Sequence, residues 1–363
     1  MKNLHVTNPD KKFIQPYINF INKYFNTSST PHAFSVIIKN REEKFNESYR
    51  NVRYVYNNNT IIEFIKQFYK YDRIYLHGLF NMKVILILFF QPWLLKKCSW
   101  IIWGNDLYRY RENRVTFKSK IYEYLRRKVI KNMGRLLPLV EGDYYLARKW
   151  YGAKGTYKIA RYNNLRKNKY ATYLMNKTSL KTRGKKYINI HIGNSATASN
   201  NHMEILNTLE KYKEENIKIY CPLVYGDLDN YAKVIEEHGK RKFGNKFIVI
   251  NKMMDIEAYL DHLYAMDIGI FNNDRQQGLG NITPLLFFGK KVFFKDDTTM
   301  WNYYKENNLN IYKFNSIKGE TFSEFIDMPF SERNINYEVL KERFTDNYSI
   351  SVWKDIFKNT NKF

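Results

Sequence analysis

Cysteines are nearly absent from this 363-residue sequence, acidic residues are outnumbered, and no hydrophobic run is long. The two cysteines, Cys98 and Cys221, stand far apart and match no zinc or redox spacing, so the chain suits a reducing compartment and gives no basis for a disulfide framework. The most apolar run, Val84 to Leu95, is about twelve residues long and contains Pro92, short of the roughly twenty that a membrane span needs. Near the N-terminus Lys2, Lys11 and Lys12 supply positive charge, but Pro9, Asp10, Gln15 and Pro16 interrupt any apolar stretch, so no signal peptide is expected. A Walker loop, a nucleophilic triad, an internal repeat and a low-complexity tract are also missing.

What is present is enough hydrophobic sequence, 44 %, with 26 % charged residues, to build folded cores, and a length that suits two domains. Sixty basic against 35 acidic residues leave a net charge of +25. Such a field attracts polyanions: nucleic acid, anionic headgroups or phosphorylated substrates. Drift of composition toward Lys, Asn, Ile and Tyr would produce the same excess without selecting a partner. The charge together with 17 % aromatics motivates a nucleic-acid reading, but no nucleic-acid motif accompanies it, so none is expected as partner.

Short apolar runs alternate with helix-period segments. Strands are expected at Leu4–Thr7, Phe34–Ile38, Val52–Tyr56, Arg73–Leu76, Trp100–Trp103 and Leu136–Val140, with helices such as 60–69, 116–131 and 143–151 between them. After a basic, polar stretch the alternation restarts, with strands at 187–192, 217–223, 247–250, 267–271 and 291–294 and helices at 200–213, 230–238, 255–265 and 281–288. The pattern implies an α/β protein of two Rossmann-like domains, with parallel sheets facing across a cleft. The domains are expected at 1–160 and 187–336, joined by a linker at 161–186, with a helix in 337–363 packing back on the first domain. Ligands bind outside the carboxyl ends of such strands, so the residues after each strand are where chemistry is sought.

Two clusters of this kind lie in the second half. Gly193, Asn194, Ser195, Ser199, Asn200 and His202 follow one strand and open onto a helix. Backbone N–H groups, the hydroxyls and the helix N-terminus suit anionic oxygens; a turn with an N-cap explains the same residues. Arg275, Gln276, Gln277, Gly278, Gly280 and Asn281 follow another strand. Arg275 offers a bidentate fork and the glycines allow close backbone approach. Two such loops on one sheet converge on one ligand, and a diphosphate held by them needs no metal. Tyr225 and Gly226, at another strand end, suit base or ribose.

In the first half Trp103, Asn105, Asp106 and Tyr108 follow a strand, as do His77 and Glu141. Aromatic rings stack on sugars, and Asp106, His77 or Glu141 would serve as base toward an acceptor hydroxyl; caps and turns are the competing reading of each. Asp227 and Asp229 resemble a metal-binding Asp-x-Asp, but two carboxylates underligand a divalent ion and Asp229 makes a good N-cap, so no metal or other cofactor is expected. Trp93-Leu94-Leu95-Lys96-Lys97 and Tyr122-Glu123-Tyr124-Leu125-Arg126-Arg127-Lys128 join aromatic and basic residues, as an anionic membrane surface favours, each Lys or Arg contributing about 1 kcal/mol. A solvated helix face is the alternative.

At these clusters the chain resembles the family of TDP-N-acetylfucosamine:lipid II N-acetylfucosaminyltransferases, glycosyltransferase family 56. The matching pieces are His77-Gly78…Phe80-Asn81, Ile102-Trp103-Gly104…Asp106-Leu107-Tyr108, Leu125-Arg126-Arg127 and Gly142-Asp143. Then come Gly193-Asn194-Ser195…Ser199-Asn200…His202 and Arg275-Gln276-Gln277-Gly278…Gly280, all in family order. The resemblance implies a GT-B fold and transfer of a 4-acetamido-4,6-dideoxy sugar from a TDP donor to a polyprenyl-diphosphate-linked saccharide. It implies a peripheral protein on the cytoplasmic face of the inner membrane, engaged in surface-polysaccharide assembly. Ala196-Thr197 stands where the family commonly has Gly-Asp, and Asn105 replaces a small residue. The rival activities are a nucleotide-sugar epimerase of the same fold and, ranked lower, a basic nucleic-acid binder.

Overall fold

The computed structural model describes residues 1–45, 48–56, 61–112, 116–162, 186–226 and 230–358. The chain divides into two units, Met1–Lys169 with Thr345–Phe363, and Tyr170–Phe344.

In the first unit, strands β1 (Asn3–Thr7), β2 (His32–Ile38), β3 (Val52–Tyr56), β4 (Arg73–His77), β5 (Cys98–Ile102), β6 (Arg135–Pro138) and β7 (Thr156–Tyr157) form one parallel sheet, ordered β3-β2-β1-β4-β5-β6-β7. Its helices are α1 (Ile14–Tyr24), α2 (Ile61–Lys70), α3 (Met82–Phe90), α4 (Asn105–Tyr108), α5 (Phe117–Lys131) and α6 (Glu141–Tyr151). Central strands are buried on both faces and therefore read as continuous apolar runs, as in Ile74-Tyr75-Leu76. One face packs against α2, α3, α5 and α6, whose Phe68, Leu88, Val129 and Ala147 meet Leu4, Leu76 and Trp100. On the other face Ile18 and Ile21 of α1 meet Phe34, Tyr75 and Ile101.

The second unit repeats the plan. Strands β8 (Ile188–Ile192), β9 (Ile217–Pro222), β10 (Phe247–Ile250), β11 (Ile268–Phe271), β12 (Lys291–Phe294) and β13 (Tyr312–Lys313) form a parallel sheet ordered β10-β9-β8-β11-β12-β13. The helices are α7 (His202–Leu209), α8 (Tyr231–Phe243), α9 (Ile256–Ala265), α10 (Leu279–Phe287), α11 (Thr299–Glu306), α12 (Phe322–Ile326) and α13 (Phe330–Lys341), and α14 (Asp346–Lys358) ends the described chain. Short polar residues start several of them: Asp255 accepts from Ala258 N (2.9 Å), and Thr321 with Glu324 forms a capping box.

Strand order reverses between β1 and β4 in the first sheet and between β8 and β11 in the second, and these reversals mark where each sheet opens to a ligand.

The C-terminal segment 337–363 departs from expectation. It is not one helix: α13 stays with the second unit, where Tyr337 meets Phe287 (ring centroids 5.1 Å apart). Only α14 packs on the first unit, burying Trp353 and Ile356 beside Tyr17 and donating from Trp353 Nε1 to the Arg161 carbonyl (2.9 Å). Ala160 and Tyr162 also join this packing, so the first unit continues past the expected boundary at 160. Most of the expected linker, and the Asp227/Asp229 pair, lie outside the described residues. Among those described, no helix is long and apolar enough to cross a membrane.

Candidate functional site

At the β8/β11 reversal the sequence places a turn that only glycine fits. Gly193 has φ of 65° and donates to the Ile270 carbonyl (3.0 Å), which pins the chain to β11 as it leaves β8. A Cβ there would meet His202 Nε2 at 2.2 Å. The loop beyond is organised by the fully buried Asn200. Its Oδ1 accepts from Asn194 N (3.1 Å), and its Nδ2 donates to the Ser195 carbonyl (2.9 Å) and Thr197 Oγ1 (2.8 Å).

The loop after β11 is fastened to this one. Asp274 N donates to the Ser199 carbonyl (2.9 Å), Ser199 Oγ to Gln277 Oε1 (2.8 Å), and Asn201 Nδ2 to the Asn272 carbonyl (2.8 Å). A third strand end joins them: Ala196 N donates to the Tyr225 carbonyl (2.8 Å), and a Cβ on Gly226 would meet Thr197 Cγ2 at 2.5 Å. The structure thus brings together the Gly193–His202 loop, the 275–281 loop and Tyr225-Gly226.

This junction has unmatched polar capacity. Among the described residues, buried atoms without a hydrogen-bond partner include Asn194 Oδ1, Gln276 Oε1, Gln277 Nε2 and both amide atoms of Asn273. Buried polar atoms are rarely left so unless a ligand or water completes them. Helix α10 begins here at Gly278, whose φ is 71°, with no side-chain cap on its first-turn amides. That end is ready for an anion. Arg275, half-buried, brings the cationic group.

Other expected donor contacts turn out to hold the loops. Asn200 is committed internally, as above. His202 is buried with its ring against Gly193, Nδ1 near Tyr231 Oη (3.2 Å), and burial lowers its pKa to about 3, so it brings no charge. Asn281 is buried with Nδ2 3.5 Å from His191 Nε2. A methyl group on Gly280 would have no atom within 4 Å, so crowding does not explain that glycine. His191, which sequence reading passes over, supports the turn from beneath. Its Nε2 lies 3.0 Å from the Gly193 carbonyl and its Nδ1 3.3 Å from His262 Nε2, and burial first, His262 second, lowers its pKa to about 3. A histidine one residue before the end of a strand that leads into the glycine turn is the signal that could have found it.

The first unit behaves differently, and corrects several expectations. Asp106 is fully buried and accepts four hydrogen bonds: from Trp100 Nε1 (2.6 Å), Leu79 N (3.0 Å), Trp103 N (3.0 Å) and Leu107 N (3.1 Å). Burial raises its pKa against these donors, but the carboxylate presents nothing to an acceptor hydroxyl. Its backbone carbonyl accepts from the buried Arg126 (2.7 Å), which also pairs with Glu123 (2.9 Å). This network fixes the strand ends.

His77 is buried in a row of side chains across the sheet. Asn3 Nδ2 lies 3.3 Å from His32 Nε2, His32 Nδ1 2.9 Å from His5 Nε2, and His5 Nδ1 3.0 Å from His77 Nε2. His77 Nδ1 meets Tyr162 Oη, which also accepts from Trp103 Nε1 (3.1 Å). Burial lowers the His77 pKa to about 3, which does not suit the expected base toward an acceptor hydroxyl. Tyr108 is buried, with its hydroxyl donating to Asp143 Oδ1 (3.5 Å). Asn105 is exposed at the start of α4, and Trp103 is half-buried. Glu141 stands half-buried at the start of α6, its Oε1 accepting from Tyr145 Oη (3.1 Å) and from Tyr157 Oη.

Sequence reading also passes over Asp10. It follows β1 at the first unit's strand reversal, half-buried, with Oδ1 accepting from Lys12 N (2.8 Å) and Phe13 N (2.6 Å). At the same strand reversal a small pocket is lined by Thr7, Asn8, His77, Gly78, Phe80 and Asn81.

Two parallel Rossmann-like units, the second with a three-loop junction at its strand reversal, define an α/β protein of the GT-B fold. The chain is similar to the UDP-forming α,α-trehalose-phosphate synthase of Burkholderia xenovorans, with TM-score 0.69 and 11 % identity over 98 % of both chains. It is similar to Anabaena HepE in complex with UDP and glucose, with TM-score 0.66 and 11 % identity over 98 % of this chain and 99 % of that one. A third likeness, to UDP-GlcNAc 2-epimerase of Neisseria meningitidis bound to UDP-GlcNAc, has TM-score 0.53 and 14 % identity over 99 % and 100 %. At such identities the likeness is one of fold. The model of the family described as 4-alpha-L-fucosyltransferase, glycosyl transferase group 56, matches residues 4–325. The chain belongs to that family, and is a nucleotide-sugar glycosyltransferase.

Proposed function

We propose that the enzyme moves a 4-acetamido-4,6-dideoxyhexose from a TDP carrier to a polyprenyl-diphosphate-linked saccharide, without a metal ion. The carrying observation is the junction of the 193–202 and 275–281 loops, where unpaired amide atoms, uncapped α10 amides and Arg275 stand at one strand reversal. Charge grows on the diphosphate as the glycosidic bond breaks, so these donors act mainly on the transition state. Both neighbouring histidines are neutral, which leaves Arg275 and the helix dipole to offset that charge.

Tyr225, 44 % exposed, and Gly226 suit the nucleoside. Thr197, where the family commonly has Asp, directs its methyl at Gly226 and its hydroxyl at Asn200, and so tunes the shape of that side of the site. An inverting course needs a base; Asp10 after β1 and Glu141 after β6 are half-buried carboxylates suited to that role, whereas a retaining course needs neither.

The test is transfer from TDP- and UDP-sugars to a lipid-linked acceptor, with a chelator present and absent. Product formed only with acceptor, undiminished by chelator, supports the reading. An epimerised nucleotide sugar formed with donor alone favours the epimerase instead, and a chelator-abolished rate overturns metal independence. Comparing Asp10→Asn with Glu141→Gln then selects the base.

A further inference from the structure

Helices α2, α3 and α5 lie side by side on one face of the first sheet, their inner sides filling the core. Their outer surface is apolar where a solvated face is expected. Ile62, Phe90, Trp93, Phe117, Ile121 and Tyr124 are between 42 % and 77 % exposed. On α5 the exposed Phe117, Ile121 and Tyr124 fall four and three residues apart, an apolar stripe about a quarter turn round the helix from the one formed by Leu125 and Val129. Tyr124 reaches Phe89 (ring centroids 6.4 Å apart), whose ring lies 5.3 Å from Phe90, and Trp93 Nε1 donates to Tyr69 Oη (2.9 Å). The exposed rings thus bridge neighbouring elements.

The charge on this surface is predominantly positive. Among α2, α3, the 92–97 turn and α5 the acidic residues are Glu63, paired with Arg53 at 2.8 Å, and Glu123, which is buried and paired with Arg126. Against them Lys66, Lys70, Lys96, Lys118, Lys120 and Lys128 are exposed. Lys128 stands 5.5 Å over the Tyr124 ring, apolar stem along the aromatic and ammonium outward. Protein interfaces are depleted in lysine. Large apolar tips ringed by lysine, with Trp and Tyr among them, match the headgroup region of an anionic bilayer.

We propose that the outer face of α2, α3 and α5 is the surface by which this protein lies on an anionic membrane, Phe90, Trp93, Phe117 and Ile121 entering the headgroup–acyl boundary and the lysines meeting lipid phosphates. The purpose of this contact rests on the reading of a lipid-linked acceptor, but the contact is measured without any transfer.

The experiment is co-sedimentation of the full chain with phosphatidylcholine vesicles, with and without phosphatidylglycerol, at low and high salt. Wild-type protein binds the phosphatidylglycerol vesicles, less so at high salt. The Phe90→Ser/Trp93→Ser/Phe117→Ser variant binds at least about tenfold more weakly, as does Lys96→Glu/Lys118→Glu/Lys120→Glu. Reversal of Lys213, Lys252 and Lys318 in the second unit leaves binding unchanged. The lysine variant alters no core side chain, so it answers even where the aromatic one folds poorly. Wild-type protein that ignores anionic vesicles, or first-unit variants that bind as wild type, overturns the proposal. Retained transfer to a detergent-dispersed acceptor by variants that lose vesicle binding separates this surface from the proposed active site.

Discussion

The two units carry the same sheet plan with opposite polar economies at their strand ends. In the first, Asp106 takes four donors and Arg126 ties the neighbouring backbone to Glu123, leaving that network closed. In the second, loops equally well anchored by Asn200 leave Asn194, Gln276 and Gln277 with unpaired buried atoms. Polar residues at a strand end therefore mean two things, and hydrogen-bond completion tells them apart. A closed network is architecture; an open one awaits a ligand.

Substitutions at the two ends should break different properties. Arg275→Ala is predicted to lower turnover at least about 100-fold, the scale of losing one oxyanion donor, while the melting temperature moves by no more than about 1–2 °C. Steady-state rates and calorimetry on the same preparation check it. Asp106→Ala should do the reverse: the first unit loses about 3 kcal/mol, a fall of roughly 6 °C or more in its unfolding transition, because four donors and a buried arginine network lose their acceptor. Unchanged melting with lost activity would move Asp106 into the chemistry and dissolve the contrast.

Acid should strain both units alike. All seven histidines have pKa values below the usual range, with desolvation by burial the first cause, and His32, His77, His191, His202 and His262 reach about 3 to 4. Such groups bind more protons unfolded than folded. Their contribution is complete above the unfolded value near 6.5 and is lost as pH falls from there toward 3 to 4, at no more than about 1.4 kcal/mol per histidine per pH unit. Melting temperatures should therefore drop between pH 6.5 and 4.5; a flat profile would show the rings protonating as readily in the folded as in the unfolded chain. The smallest effect separates two glycines of the donor loops: Gly193→Ala, with positive φ and His202 in the way, should cost about 1–2 kcal/mol, while Gly280→Ala, facing open space, should stay within about 0.5 kcal/mol in thermal unfolding.

Much of this fold is legible in the sequence because buried parallel strands write themselves as short apolar runs. The elements that escape have physical reasons. Helix α1 begins without a side-chain cap, and Pro16, harmless in its first turn, looks like an interruption. Helix α3 shows no helical period because its outer face is apolar too, Phe90 being 70 % exposed. For the candidate site, the three loops of the second unit are readable as glycines and hydroxyls after strands. The closure of the Asp106 network and the burial of His77 are not, since each depends on partners such as Leu79 and Tyr162, distant in sequence and invisible to spacing. Asp10 is hidden for another reason: it stands in the turn that leads into an unrecognised helix, where its carboxylate holds Lys12 N and Phe13 N, and so it looks like loop.

Hydrogen exchange with and without TDP measures the central claim most directly, because it locates the ligand without assuming catalysis. Protection is predicted in peptides covering 193–202, 225–226 and 274–282, and in Arg275→Ala that protection should weaken at the same TDP concentration. Protection confined to the first unit, or none in the two glycine loops at saturating TDP, would contradict the account.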